Sequence, residues 1–210
     1  MKKYTTILIA SLCFTFLLSC SEETVDATTP IPSTSETISP PPKNVLKKED
    51  PLVEYLAITG YNQFSLPCGD TNDSFEIGFE FYPLTNGNII ALSVRIPEAK
   101  AKVVMTIWDV ASKAKIRTEE IEGITANTII SKDITPLSLV KNKKYAVTIY
   151  TNSYYMRHAA EWAQPQYPVT CGNIKIVVAI MGEANSNQYP KTGTGNFQNG
   201  DCSFNFMPTN

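Results

Sequence analysis

Phe75-Glu76-Ile77-Gly78-Phe79-Glu80-Phe81-Tyr82 is the stretch that decides the fold. A β-strand sends successive side chains to opposite faces. Read that way, Phe75, Ile77, Phe79 and Phe81 share an apolar face, and Glu76, Gly78, Glu80 and Tyr82 share the other. A helix, with its 3.6-residue period, would scatter the same residues around its circumference. Thr85-Asn86-Gly87 follows. Asn-Gly accepts positive φ at little cost and so closes a hairpin, which returns Ile90, Leu92, Val94 and Ile96 on one face.

The same alternation continues outward. Val103, Met105 and Ile107 form a third strand, with further strands near 115–121 and 127–134. Tyr145, Val147 and Ile149 make another, then Ile174, Ile176, Val178 and Ile180, then Cys202, Phe204 and Phe206. Alternation starts at about residue 52, and only residues 154–164 are suited to a short helix. About eight short strands separated by turn residues predict an all-β domain, a two-sheet antiparallel sandwich of jelly-roll type. Residues 51–210 are assigned to it.

The first 50 residues have another character. Met1-Lys2-Lys3, an apolar run from Ile7 to Leu18 and the small residue Ser19 compose a secretory signal over 1–19. The run is shorter than the roughly 20 apolar residues of a membrane span. Leu17-Leu18-Ser19-Cys20 resembles the lipobox of bacterial lipoproteins. That resemblance implies cleavage before Cys20, acylation of its sulfur and new amino group, and stable anchoring by more than one chain. Ser21-Glu22-Glu23 resembles the acidic signals that carry lipoproteins of Bacteroidetes-type bacteria to the outer face of the outer membrane. Residues 20–50, rich in Ser, Thr and Pro and lacking aromatics, read as an extended tether.

Composition narrows the partners. Eighteen Lys and Arg against 20 Asp and Glu give a net charge of −2, and loss of Lys2 and Lys3 with the leader makes it −4. No basic cluster stands out, which argues against nucleic acid.

Beyond the N-terminus, a second resemblance spans residues 65–207. The runs Phe75–Phe81, Ile89–Arg95, Ile107-Trp108-Asp109 and Lys144-Tyr145-Ala146-Val147 resemble a bacterial domain-of-unknown-function family of β-sandwich modules. Tyr189-Pro190 and the strand holding Phe204 fit it as well. Such modules occur in secreted and surface proteins beside immunoglobulin-like and carbohydrate-active domains. The resemblance implies a fold and brings no catalytic residues with it.

Past Cys20, three cysteines remain: Cys68, Cys171 and Cys202. An oxidising compartment favours one disulfide. If strand direction alternates along the chain, Cys68 and Cys171 precede parallel strands and lie at the same end, so Cys68–Cys171 is the expected bridge. Cys202 is then free or turned inward beside Phe204.

Candidate chemistry is sparse. His158, the single histidine, lacks the setting of a catalytic triad. Glu76 and Glu80 share a strand face about 13 Å apart at strand rise, wider than the roughly 5–9.5 Å of glycosidase carboxyl pairs; a solvated face accounts for them. Asp70, Asn72 and Asp73 crowd one turn and are calcium candidates, although Asx-turn residues opening a strand look the same. No motif calls for a cofactor. The loop region 151–172 gathers Tyr154, Tyr155, Arg157, His158, Glu161, Trp162 and Tyr167, and Tyr189 supplies a second wall. Aromatic faces flanked by polar groups suit sugar rings, so Tyr154, Tyr155, Arg157, Trp162, Tyr167 and Tyr189 are the expected ligand residues. The sequence thus predicts a non-catalytic cell-surface lipoprotein whose sandwich binds a glycan or a partner protein. A structural or adhesion accessory and a carbohydrate hydrolase are the alternatives.

Overall fold

The structure is a computed structural model that describes residues 47–61, 64–68, 72–160, 167–195 and 197–209. The signal, Cys20 and most of the tether lie outside the described residues, as do Asp70, Glu161 and Trp162.

Among the described residues the first element is a helix, where strand alternation was expected. α1 spans Pro51–Thr59. Asp50 is its N-cap, its carboxylate accepting from the Leu52 and Val53 amides, and proline opens the first turn, where no intrahelical N–H is needed. Gly60, at φ 70°, ends it in the left-handed conformation open to glycine. Leu52, Tyr55 and Leu56 recur at helical spacing and are buried. The cap pair Asp50-Pro51 and the stop Thr59-Gly60 therefore outweigh the apparent alternation of the run between them.

The expected sandwich is present. Its larger sheet runs β11 (Thr192–Thr194), β10 (Ile174–Met181), β2 (Phe75–Pro83), β7 (Tyr145–Thr151), β4 (Lys100–Asp109) and β5 (Ala114–Ile124), with β9 (Val169–Cys171) also paired to β10. The facing sheet is β13 (Asp201–Pro208), β3 (Gly87–Arg95) and β6 (Ile130–Leu139). A third sheet joins β1 (Phe64–Cys68), β8 (Tyr154–His158) and β12 (Gln198–Asn199). Pairing is antiparallel throughout. The eight strands read from alternation correspond to β2–β7, β10 and β13. The other five are two to five residues long, too short to show a period. One of them, β8, occupies the stretch read as a possible helix and pairs with β1 over five residues.

Between the sheets, Ile77, Phe79 and Phe81 of β2 meet Phe204 and Phe206 of β13 and Ile89 and Leu92 of β3, all wholly buried. The Phe81 and Phe204 rings are 4.6 Å apart. Each such side chain contributes about 1.5–3 kcal/mol by leaving water. β3 departs from the expected phase at one point. A bulge between Ile89 and Ala91 lets Ile89 turn inward and leaves Ile90 half-buried. Gly78 is required by close approach, since a Cβ there would lie 1.9 Å from the Val147 carbonyl oxygen of β7.

The folded part starts before residue 51. Glu49 forms an antiparallel bridge with Phe206, amide to carbonyl in both directions at 2.9 Å, and its carboxylate accepts from the Asn173 amide and side chain.

Candidate functional site

Strand alternation divides the expected aromatic platform. On β8, Tyr155 and Arg157 share one face, while Tyr154 points the other way and packs edge-on against Phe75, with ring centroids 6.4 Å apart. Tyr167 lies under α1, its hydroxyl 2.5 Å from that of Tyr55 and the two rings stacked at 6.0 Å. Burial pushes the Tyr167 phenol up to about 12. Tyr189 stands elsewhere again, donating to Glu80 at 2.5 Å and meeting Trp108 edge-on at 5.7 Å. The six expected ligand residues therefore do not form one platform; the structure brings only Tyr155 and Arg157 together, and Trp162 is outside the described residues.

Asn72 is exposed, and Asp73 accepts from the Asn185 side chain at 2.6 Å, tying its turn to the loop after β10. Among the described residues no group of three or more His, Cys, Asp or Glu is placed to hold a metal. His158 is buried, with Nδ1 2.9 Å from the Ala159 carbonyl oxygen.

The Cys68–Cys171 bridge is not formed: Cys68, Cys171 and Cys202 are free thiols. The parity argument fails because strand direction does not alternate strictly along the chain: β7 and β10 both run antiparallel to β2. β10 pairs with β2 itself, Ile174 opposite Pro83 and Met181 opposite Ile77. Cys171 lies at the Pro83 end, whereas Cys68 pairs with Tyr154 beside Phe75 at the other end, roughly 26 Å away at strand rise. Burial pushes the Cys171 thiol up to about 12 and raises that of Cys202, which lies inside the core against the Ile77 and Val147 carbonyls.

What β8 does assemble is an ion cluster. Arg157, 6% exposed, donates Nε to Asp201 Oδ1 at 2.6 Å and Nη2 to Oδ2. Arg95, at the end of β3, donates Nε and Nη2 to the same Oδ2 at 2.9 and 2.7 Å. The Tyr155 ring receives both guanidiniums, Arg157 at 5.1 Å and Arg95 at 5.5 Å from its centroid, and its hydroxyl bonds Asn127. Arg95 is the outer member, with 31% of its side chain exposed. It borders a cleft of about 50 Å³ between α1 and the β3–β13 pair, walled by Leu52, Val53, Leu56, Val94 and Ile129. Val53 and Ile129 are each 59% exposed. Sequence reasoning missed Arg95, Asp201 and the cleft, because the partners are 106 and 44 residues apart and nothing local marks them.

A second polar cluster lies on the outer face of the larger sheet. Glu76, expected in solvent, is wholly buried. The segment after β10 folds over it, Gly182 donating to the Glu76 carbonyl at 2.7 Å and standing close over its Cβ. Trp108 Nε1 donates to Thr148 Oγ1 at 2.7 Å, and Thr148 Oγ1 donates onward to Glu76 Oε1. Glu76 Oε2 and Thr106 Oγ1 are buried without a hydrogen-bond partner. Desolvation pushes the Glu76 carboxyl up to about 7, against the opposing pull of Thr148 and of Lys115.

Compared with models of known protein families the chain matches none, and a search of curated proteins finds no relative.

Proposed function

We propose that this chain is a non-catalytic surface lipoprotein: acylated Cys20 holds it in the outer membrane, the Ser/Thr/Pro segment gives stand-off, and the sandwich binds a partner protein. The observation that carries the binding reading is the cleft beside α1, where Val53 and Ile129 keep 59% of their surface in water. Exposed aliphatics rimming a concavity beside a charged group are the composition of a protein contact. A sugar platform needs free aromatic faces side by side; Tyr167 stacks on Tyr55, Tyr155 spends its face on two guanidiniums, and Tyr154 lies on the opposite strand face against Phe75. The same packing favours an accessory role in a surface assembly as the second reading.

Two measurements test this. Cys20→Ser should abolish incorporation of labelled fatty acid and release the protein from the membrane fraction; retention of both lipid and membrane would remove the anchor. A photo-crosslinking residue at position 129, in cells, should trap a discrete partner that the same probe at Ile116 on β5 does not. Equal trapping at both positions, or none at 129, would overturn the cleft as the binding surface.

A further inference from the structure

The cleft beside α1 has a chemistry that narrows its partner. Arg157 by itself occupies both oxygens of Asp201, Nε on Oδ1 and Nη2 on Oδ2. That is the two-point geometry in which a guanidinium satisfies a carboxylate. Arg95 is therefore a second guanidinium on an oxygen already served, partly exposed and facing the cleft. Asp50 also borders this space, but its Oδ1 takes the Leu52 and Val53 amides and the Ser203 hydroxyl and is thereby committed to the start of α1. Among the described residues lining the cleft, the charge with donors to spare is the Arg95 guanidinium.

The apolar part sets the rest. At roughly 10–15 Å³ for each water-sized occupant, a space of about 50 Å³ admits about three to five heavy atoms. That is the branched end of one leucine, isoleucine or valine. Leu52, Leu56 and Val94 give it an apolar floor, and Val53 and Ile129 stand at the rim. An aliphatic group with a carboxylate on the same residue describes the end of a polypeptide.

Building on the partner-protein reading above, we infer that the cleft captures the C-terminal residue of a partner chain, its aliphatic side chain between α1 and β3 and its carboxylate on Arg95. Arg95 can turn from Asp201 to the ligand because Arg157 keeps Asp201 paired. An internal aspartate in the partner fits less well, since its carboxylate lies on a different residue from the aliphatic group and must be aligned separately.

The test is fluorescence anisotropy with the full-length protein in nanodiscs and labelled hexapeptides ending in Leu, Ile or Val. Each peptide is compared as free acid and as C-terminal amide. Free acids should bind saturably, and amidation should weaken binding about tenfold or more, the scale of losing a charge-assisted pair. Arg95→Gln should impose the same loss and abolish the difference between acid and amide. Ile129→Asp should weaken both forms, with an unchanged melting temperature because the side chain is mostly exposed. Equal affinity of acid and amide, wild-type affinity in Arg95→Gln, or no binding by any aliphatic-ended peptide would overturn the inference. Specific trapping at position 129 alongside acid–amide equality would sink the chain-end chemistry and leave the partner reading standing. No trapping and no peptide binding would remove both.

Discussion

Asp201 and Glu76 are two buried carboxylates answered in opposite ways. Asp201, 4% exposed, has two guanidiniums on its oxygens. Glu76, at 0%, has a threonine hydroxyl relaying an indole N–H to one oxygen and nothing on the other. A carboxylate removed from water needs a counter-charge or else a proton. Counter-ions meet that need at Asp201. At Glu76 the opposing positive charge is Lys115, which also sits 5.2 Å over the Trp108 ring, and burial prevails. One site is built as an ion cluster, the other as a proton holder.

Four substitutions probe this contrast. Asp201→Ala strands Arg157 in the interior, and breaking a buried pair from one side costs about 3–5 kcal/mol. Urea unfolding should show that loss at neutral pH; a loss below 1 kcal/mol would mean that Arg157 finds water or another acceptor. Glu76 comes next. Its unfolded reference is 4.5 and its folded value about 7, so the folded state holds the proton more tightly. Its contribution is full below pH 4.5 and is lost as pH rises through 7, about 3 kcal/mol in all. Glu76→Gln should flatten that slope and leave the protein more stable than wild type at pH 8. A wild-type unfolding free energy independent of pH between 5 and 8 would contradict the buried-acid account.

Thr148→Val removes the hydroxyl between indole and carboxyl, leaving both without a partner at a cost of about 1–3 kcal/mol. It should also move the Glu76 titration upward, read as a displaced pH midpoint of Trp108 emission; an unmoved midpoint would deny the relay. The smallest effect belongs to Arg95→Gln, about 1 kcal/mol or less, because Arg95 is partly exposed and Arg157 retains both Asp201 oxygens. If that substitution proves as damaging as Asp201→Ala, the two arginines share the carboxylate equally and neither is spare.

Much of the fold was legible because period-two patterning is a local signal of where an apolar face lies. Phe75 to Phe81 needed no knowledge of the partner strands. The helix was missed, because its apolar run resembles a strand when read without the cap pair Asp50-Pro51 and the stop at Gly60. The inversion at Ile89 and Ile90 could not be read, since a bulge is set by the register against β6. Nor could the burial of Glu76, which sits at a polar position of its own strand and is covered by a segment more than a hundred residues later. Charge pairing between Arg95, Arg157 and Asp201 likewise depends on which strand ends converge, and strand order is the part of a β-sandwich that alternation leaves undetermined. The same gap misplaced Cys68 relative to Cys171.

The clasp at Glu49 has a mechanical consequence. Tension arriving along the preceding residues meets two backbone bonds to Phe206 and two carboxylate bonds to Asn173 before it reaches α1. Those four bonds form a small shear joint at the domain's margin, fastened to two separate strand systems. Under load it would yield first and free the residues just ahead of α1, sparing the packed aromatic interior from the pull.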